Sequence, residues 1–224
     1  MLIDIHSHEI HSKAGQIQFL TLDPSSSLFL LDYKKIIPLH ANDVFLSLGI
    51  HPWKTLNWDM VNKEHLKCIL SNPHIPLIGE IGLDKVYSVP IGKQQIVYET
   101  QLEIADYSKK PVILHVVHTM TEILASQKKY PNIPAWIIHG FKGGKQEAEQ
   151  YIAKGFYLSF GNKYRNESLC SCPLDRIFLE TDDSGVDIST LYLQAANLLK
   201  CTVKQLEHQI EKNFRTVFPN LLWQ

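Results

Sequence analysis

The chain has 224 residues, 22 Lys and Arg against 23 Asp and Glu, and 45% hydrophobic residues. That balance excludes disordered, collagen-like and coiled-coil chains, and the length suits a single domain, read here as residues 1–224. A net charge of -1 also excludes a module that holds nucleic acid mainly through a basic field.

In chain order, short apolar runs rich in β-branched residues alternate with segments of helical spacing. Strands are expected at Leu2 to Ile5, Ile17 to Leu22, Val44 to Ile50 and Leu77 to Leu83, then at Val112 to Val116, Ala135 to His139, Phe156 to Phe160 and Ile177 to Glu180. Eight is the number that closes a (β/α)8 TIM-type barrel, with parallel strands and right-handed crossovers. The helices between them carry their own signals. Tyr98, Leu102 and Ala105 share one face, as do Leu206, Ile210 and Phe214. Thr119 with Glu122, and Thr202 with Gln205, have capping-box spacing. Gly155 stands where a left-handed cap would follow the Ala148/Ile152 stripe. The N-terminal third is thinner: between Ser12 and Asn42 no amphipathic run is long enough for a full helix, so one or two barrel helices are expected to be reduced or missing. A doubly wound sheet is the alternative, but its glycine-rich phosphate fingerprint is absent after the first strand.

No window approaches the roughly 18 apolar residues of a membrane span, and the start Met-Leu-Ile-Asp-Ile-His is unlike an export signal. A cytoplasmic location is the expectation. The four cysteines, Cys68, Cys170, Cys172 and Cys201, are too scattered for a disulfide framework. Cys170-Ser-Cys172 lacks the second paired element of a strong zinc signature.

Histidine is as frequent as glycine, 11 of each, and it is the commonest metal ligand. Nearly every expected strand ends in a His, Glu or Asp: His6 and His8, His51, Glu80 to Asp84, His115, His139, and Glu180-Thr-Asp182. In a (β/α) barrel these ends converge on one mouth. Imidazoles and carboxylates brought together there would repel or desolvate one another unless a cation neutralised them, which reads as a metal site. Period-2 alternation puts His6 and His8 on one side of an extended segment. Gly79 and Gly82, beside Glu80, permit close backbone approach. Each group alone also fits an ordinary role: a chance pair for His6 and His8, a satisfied strand-end carboxylate for Glu80, core histidines for His115 and His139, a turn for Asp182. The joint pattern is what points to a metal.

The order of motifs resembles the TatD family of metal-dependent hydrolases, in the amidohydrolase-like barrel superfamily, whose members are typically described as magnesium-dependent DNases. The motifs are Asp-Ile-His6-Ser-His8, Leu-Gly-Ile-His51-Pro, Ile-Gly-Glu80-Ile-Gly-Leu-Asp84, Lys-Pro-Val-Ile-Leu-His115, Ile-His139-Gly-Phe-Lys-Gly, Tyr-Leu-Ser-Phe-Gly161 and Leu-Glu-Thr-Asp182. The resemblance implies two divalent metal ions (Mg, Mn or Zn). His6, His8 and Asp182 would hold one, His115 and His139 the other, and Glu80 would bridge them. Two such ions can activate a water and stabilise both oxygens of a phosphodiester displacement. Asp182 would be the general base, His51 would face substrate phosphate without being a ligand, and Lys142 would be a phosphate contact or a solvated lysine. The chain departs from the family where His118 stands in place of a common Arg or Lys, and where Asp183-Ser184 replaces Ala-Pro. The implied activity is a deoxyribonuclease acting on single-stranded or frayed DNA ends, or another phosphodiester substrate. No membrane partner is expected, and no protein partner can be inferred from the sequence. The alternatives are a hydrolase of cyclic amides or esters, whose relatives often bridge metals with a carboxylated lysine, and a non-catalytic metal-binding protein.

Overall fold

The computed structural model describes residues 1–11, 13–24, 43–60 and 63–221. Eight strands overlap the expected runs: β1 Leu2–Ser7, β2 Gln16–Leu22, β3 Val44–Leu48, β4 Leu77–Asp84, β5 Val112–Val117, β6 Trp136–Ile138, β7 Tyr157–Phe160 and β8 Ile177–Leu179. They follow one another in chain order in the sheet, and the pairings β1–β2, β3–β4, β4–β5, β6–β7 and β7–β8 are parallel. The fold is the (β/α)8 TIM-type barrel. Its helices are α1 Lys63–Leu70, α2 Ile91–Ser108, α3 Met120–Lys129, α4 Lys145–Ile152, α5 Asn166–Ser171, α6 Ile188–Leu199 and α7 Val203–Val217. Short 3-10 segments cover Pro52–Met60 and Leu174–Arg176. Among the described residues no helix joins β1 to β2. The rest of the stretch expected to lack a full helix lies outside the described residues from residue 25 to residue 42. No helix among the described residues is long and apolar enough to cross a membrane.

The described chain forms two compact units, one built mainly from Met1–Leu20 and from Ile137 onward, the other mainly from Phe45–Trp136. In the first unit, α7 buries Leu206, Ile210 and Phe214, the stripe expected from its spacing. Phe19 packs on this end of the unit, its ring 6.1 Å from Phe214 and 4.9 Å from Phe218. Polar anchors set the register. The Tyr192 hydroxyl of α6 accepts from Ile3 N at 3.0 Å and donates to Ile3 O at 3.1 Å. Asn213 of α7 donates to Leu174 O and Ile177 O at 2.8 and 2.9 Å, holding the helix at the start of β8. The Thr202–Gln205 capping box forms as expected. Gly155 is left-handed, φ 82°, in the turn past α4.

In the second unit all eight residues of β4 are buried, as expected of a parallel strand covered on both faces. Strand β5 pairs closely with it, Gly82 opposite His115 and Asp84 opposite Val117. A Cβ at Gly82 would fall on the His115 carbonyl oxygen, so this approach requires glycine. Helix α2 buries the expected Tyr98, Leu102 and Ala105, and with them two glutamines, Gln94 and Gln101. The capping box expected at Thr119 does not form: Thr119 precedes α3 without a side-chain cap bond. Its buried hydroxyl donates instead to Leu83 O at 3.1 Å, while Glu122 pairs with Lys85 at 2.5 Å. A tertiary acceptor and a surface cation outbid the local motif.

Candidate functional site

In the first unit, the end of β1 lies beside the segment after β8. Asp4 reaches across, its carboxylate accepting from Thr181 N at 3.0 Å and Thr181 Oγ1 at 2.7 Å. Burial pushes this carboxyl up to about 7, against the pull of the Thr181 hydrogen bonds. Further along the two segments, Asp182 N donates to His6 O at 2.9 Å and His8 N to Asp182 O at 3.4 Å. Asp182 itself is left-handed, φ 53°, a sparsely populated region for a residue with a Cβ and one that clusters at functional sites. The outcome is convergence. Asp182 Oδ1 lies 3.6 Å from the buried His6 Nε2 and 3.4 Å from the exposed His8 Nε2. These three residues offer ligand atoms within 4.8 Å of one another, as do His139, Glu180 and Asp182. The His139 ring stands 4.5 Å from that of His6. Its Nδ1 is 3.3 Å from Glu180 Oε1, which also accepts from Gly140 N at 2.6 Å. Glu180 Oε2 is buried with no hydrogen-bond partner among the described residues.

In the second unit, His51, Glu80 and His115 form a further group that could hold an ion. Glu80 Oε1 lies 3.1 Å from His51 Nε2 and 2.8 Å from His115 Nδ1. The other nitrogen of His115, Nε2, is 3.3 Å from Asp84 Oδ2, which also accepts from Trp53 Nε1 at 2.8 Å. Burial pushes the Asp84 carboxyl up, but hydrogen bonds from Trp53, Val86 N, His115 and Tyr87 N outweigh it and hold it below the usual carboxylate range. A carboxylate on one ring nitrogen of a histidine fixes the ring and raises the basicity of the other nitrogen; Asp84 lies on one nitrogen of His115, and Glu180 on one of His139.

Two glutamines of α2 place the ends of these elements. Gln101 accepts from Ile50 N at 2.7 Å and donates to Ile50 O at 3.2 Å, one residue before His51. Gln94 accepts from Asp84 N at 2.7 Å and donates to Asp84 O and Val89 O, both at 2.8 Å.

In the first unit the structure thus brings together His6, His8 and Asp182, with His139 beside His6, and in the second unit His51, Glu80 and His115. Lys142 is exposed after β6. Sequence reasoning gave no role to Asp84, Glu180, Gln94 or Gln101. The first two carried a signal, since both are carboxylates at strand ends. The glutamines carried a weaker one, as polar residues on the buried face of a helix. Cys170 is exposed and Cys172 buried, and burial pushes the Cys172 thiol up to about 11.

The family model described as TatD related DNase matches residues 6–219. The chain belongs to the TatD family. The TatD-family chain is 31% identical over 145 residues to the 3'-5' ssDNA/RNA exonuclease TatD of Cronobacter turicensis, covering 60% of this chain and 55% of that one. It is 27% identical over 163 residues to the uncharacterized metal-dependent hydrolase YjjV of Escherichia coli K12, covering 67% and 63%. These matches therefore span less than two thirds of either relative. The crystal structure of YjjV has the same fold, with a TM-score of 0.83, 21% identity and 98% of each chain covered. A TatD-family hydrolase from Entamoeba histolytica gives 0.78 at 16% identity, with 97% of each covered.

Proposed function

We propose that this TatD-family chain is a metal-dependent nuclease that hydrolyses phosphodiester bonds at the ends of single-stranded nucleic acid. The observation that carries the reading is the convergence of His6, His8 and Asp182, whose ligand atoms lie within 4.8 Å of one another, and in the second unit His115 Nδ1 lies 2.8 Å from Glu80 Oε1. Mixed imidazole and carboxylate donors suit first-row divalent ions, and the charge of Asp182 or Glu80 offsets that of a cation beside it. The names of the relatives, an ssDNA/RNA exonuclease and a metal-dependent hydrolase, support the substrate class.

In this reading His6, His8 and Asp182 would hold one of two divalent ions (Mg, Mn or Zn). We take His115 and His139 as ligands of the other and Glu80 as the carboxylate shared by both, on the order of the motifs. Bound ions would supply Lewis-acid charge on the phosphate and raise the acidity of water. Asp182, set beside its histidines by the left-handed backbone, takes the proton from the attacking water. Asp84 and Glu180 hold the rings of His115 and His139. His51 and Lys142 contact substrate phosphate, adding donors in a chain whose net charge does not attract it.

The test uses a labelled single-stranded oligonucleotide. Cleavage should stop with chelator and return with Mg²⁺ or Mn²⁺, and Glu80→Ala should abolish it while leaving the circular dichroism spectrum intact. Full activity in Glu80→Ala would remove that residue from the mechanism, and cleavage that survives chelation would overturn the metal-dependent reading.

A further inference from the structure

Trp53 and Tyr87 stack face to face in the second unit, ring centroids 4.6 Å apart and planes 11° from parallel. Both are well exposed, 42% and 41%, and Val86 beside them is 71% exposed. Through Trp53 the pair touches residues of the candidate site. The Trp53 ring meets those of His51 and His115 edge to face, at 4.8 and 5.6 Å, and Trp53 N donates to His51 Nδ1 at 3.2 Å. The pair is also fixed by one carboxylate. Asp84 Oδ2 takes the indole N–H, and Oδ1 takes the backbone N–H groups of Val86 and Tyr87 at 2.8 and 3.1 Å.

The indole has therefore spent its polar edge, and what this corner presents to solvent is aromatic surface held rigidly. Pinning the loop after β4 needs only Asp84 and two backbone N–H groups; it does not require two exposed rings. Planar rings with little rotamer entropy left to lose suit another planar ring, and a base in a single strand has both faces available, unlike a base stacked within a duplex. Stacking also answers the charge problem: with a net charge of -1, broad attraction to phosphates is weak, whereas base–aromatic stacking is independent of charge and tolerant of sequence.

Resting on the nuclease reading, we propose that Trp53 and Tyr87 form a stacking platform for one nucleobase of the single-stranded substrate, next to the phosphodiester being cleaved. The experiment compares kcat and KM, with Mn²⁺, on a single-stranded oligonucleotide and on the same backbone with abasic residues at the cleaved end, using the wild-type chain, Tyr87→Leu and Tyr87→Phe. Removing the bases should raise the wild-type KM about tenfold with a smaller change in kcat. Tyr87→Leu should abolish this discrimination, and Tyr87→Phe, which keeps the ring, should retain it. Equal kcat/KM for both oligonucleotides in the wild-type chain overturns the platform while leaving the nuclease reading standing, and that comparison needs no variant to fold. Discrimination that persists in Tyr87→Leu, or is lost equally in Tyr87→Phe, also overturns it. A wild-type chain that cleaves neither oligonucleotide instead removes the nuclease reading, and the platform with it.

Discussion

Asp84 serves four neighbours at once: the His115 ring, the Trp53 indole and the loop N–H groups of Val86 and Tyr87. The carboxylate is therefore both an orienter of a candidate ligand and the anchor of an aromatic pair. Asp84→Asn keeps an acceptor and removes the charge, so the expected result is a fall in Mn²⁺ affinity of about 10- to 100-fold, read by titration calorimetry. An unchanged affinity would mean that packing alone fixes His115. Asp84 lay inside the Ile-Gly-Glu-Ile-Gly-Leu-Asp motif, yet no role could be read for it. Its partners Trp53 and His115 are 31 residues away in either direction, and pairing at that separation leaves no local trace. His6, His8 and Asp182 were more legible, because period-2 alternation and strand-end position are local properties.

Among the elements, α2 shows how a helix can place residues it does not carry. Its apolar face was readable from spacing, but Gln94 and Gln101 share that face and clasp the backbone of Asp84 and Ile50. Gln101→Leu preserves bulk but strands a buried N–H and a buried C=O; urea unfolding should record a loss of about 2–3 kcal/mol. A loss below about 0.5 kcal/mol would place this variant with neutral surface changes and refute the clasp. At the start of α7 the reciprocal bonds of Thr202 and Gln205 are both made, and Thr202→Ala should cost about 1 kcal/mol in the same measurement. Thr119 has the same local spacing and no cap bond, since Leu83 O competes for its hydroxyl. Local motifs compete with tertiary acceptors, and burial decides between them.

For the molecule as a whole, the near balance of 22 basic and 23 acidic residues bears on how it would hold a polyanion. Each phosphate neutralised by Lys or Arg contributes a slope of about -0.7 to log K against log salt on single strands. With affinity drawn from a few donors and from stacking, the slope of oligonucleotide binding between about 50 and 200 mM salt should be shallower than about -2, equivalent to fewer than about three such contacts. Fluorescence anisotropy across a salt series measures it. A slope several times steeper would mean an extended basic track and would contradict this account.

By itself, the sequence determined that eight apolar runs become strands and that most of them end in a group able to hold a cation, because β-branching, alternation and strand-end position are properties of neighbouring residues. The matching order of motifs over residues 6–219 belongs to that level too. Only the tertiary structure decided which nitrogen of His115 faces Glu80 and which faces Asp84, that His139 lies against His6 and Glu180, and that Trp53 stacks on Tyr87. Those choices depend on distances of a few ångströms between segments far apart in the chain, which packing sets and no local pattern encodes.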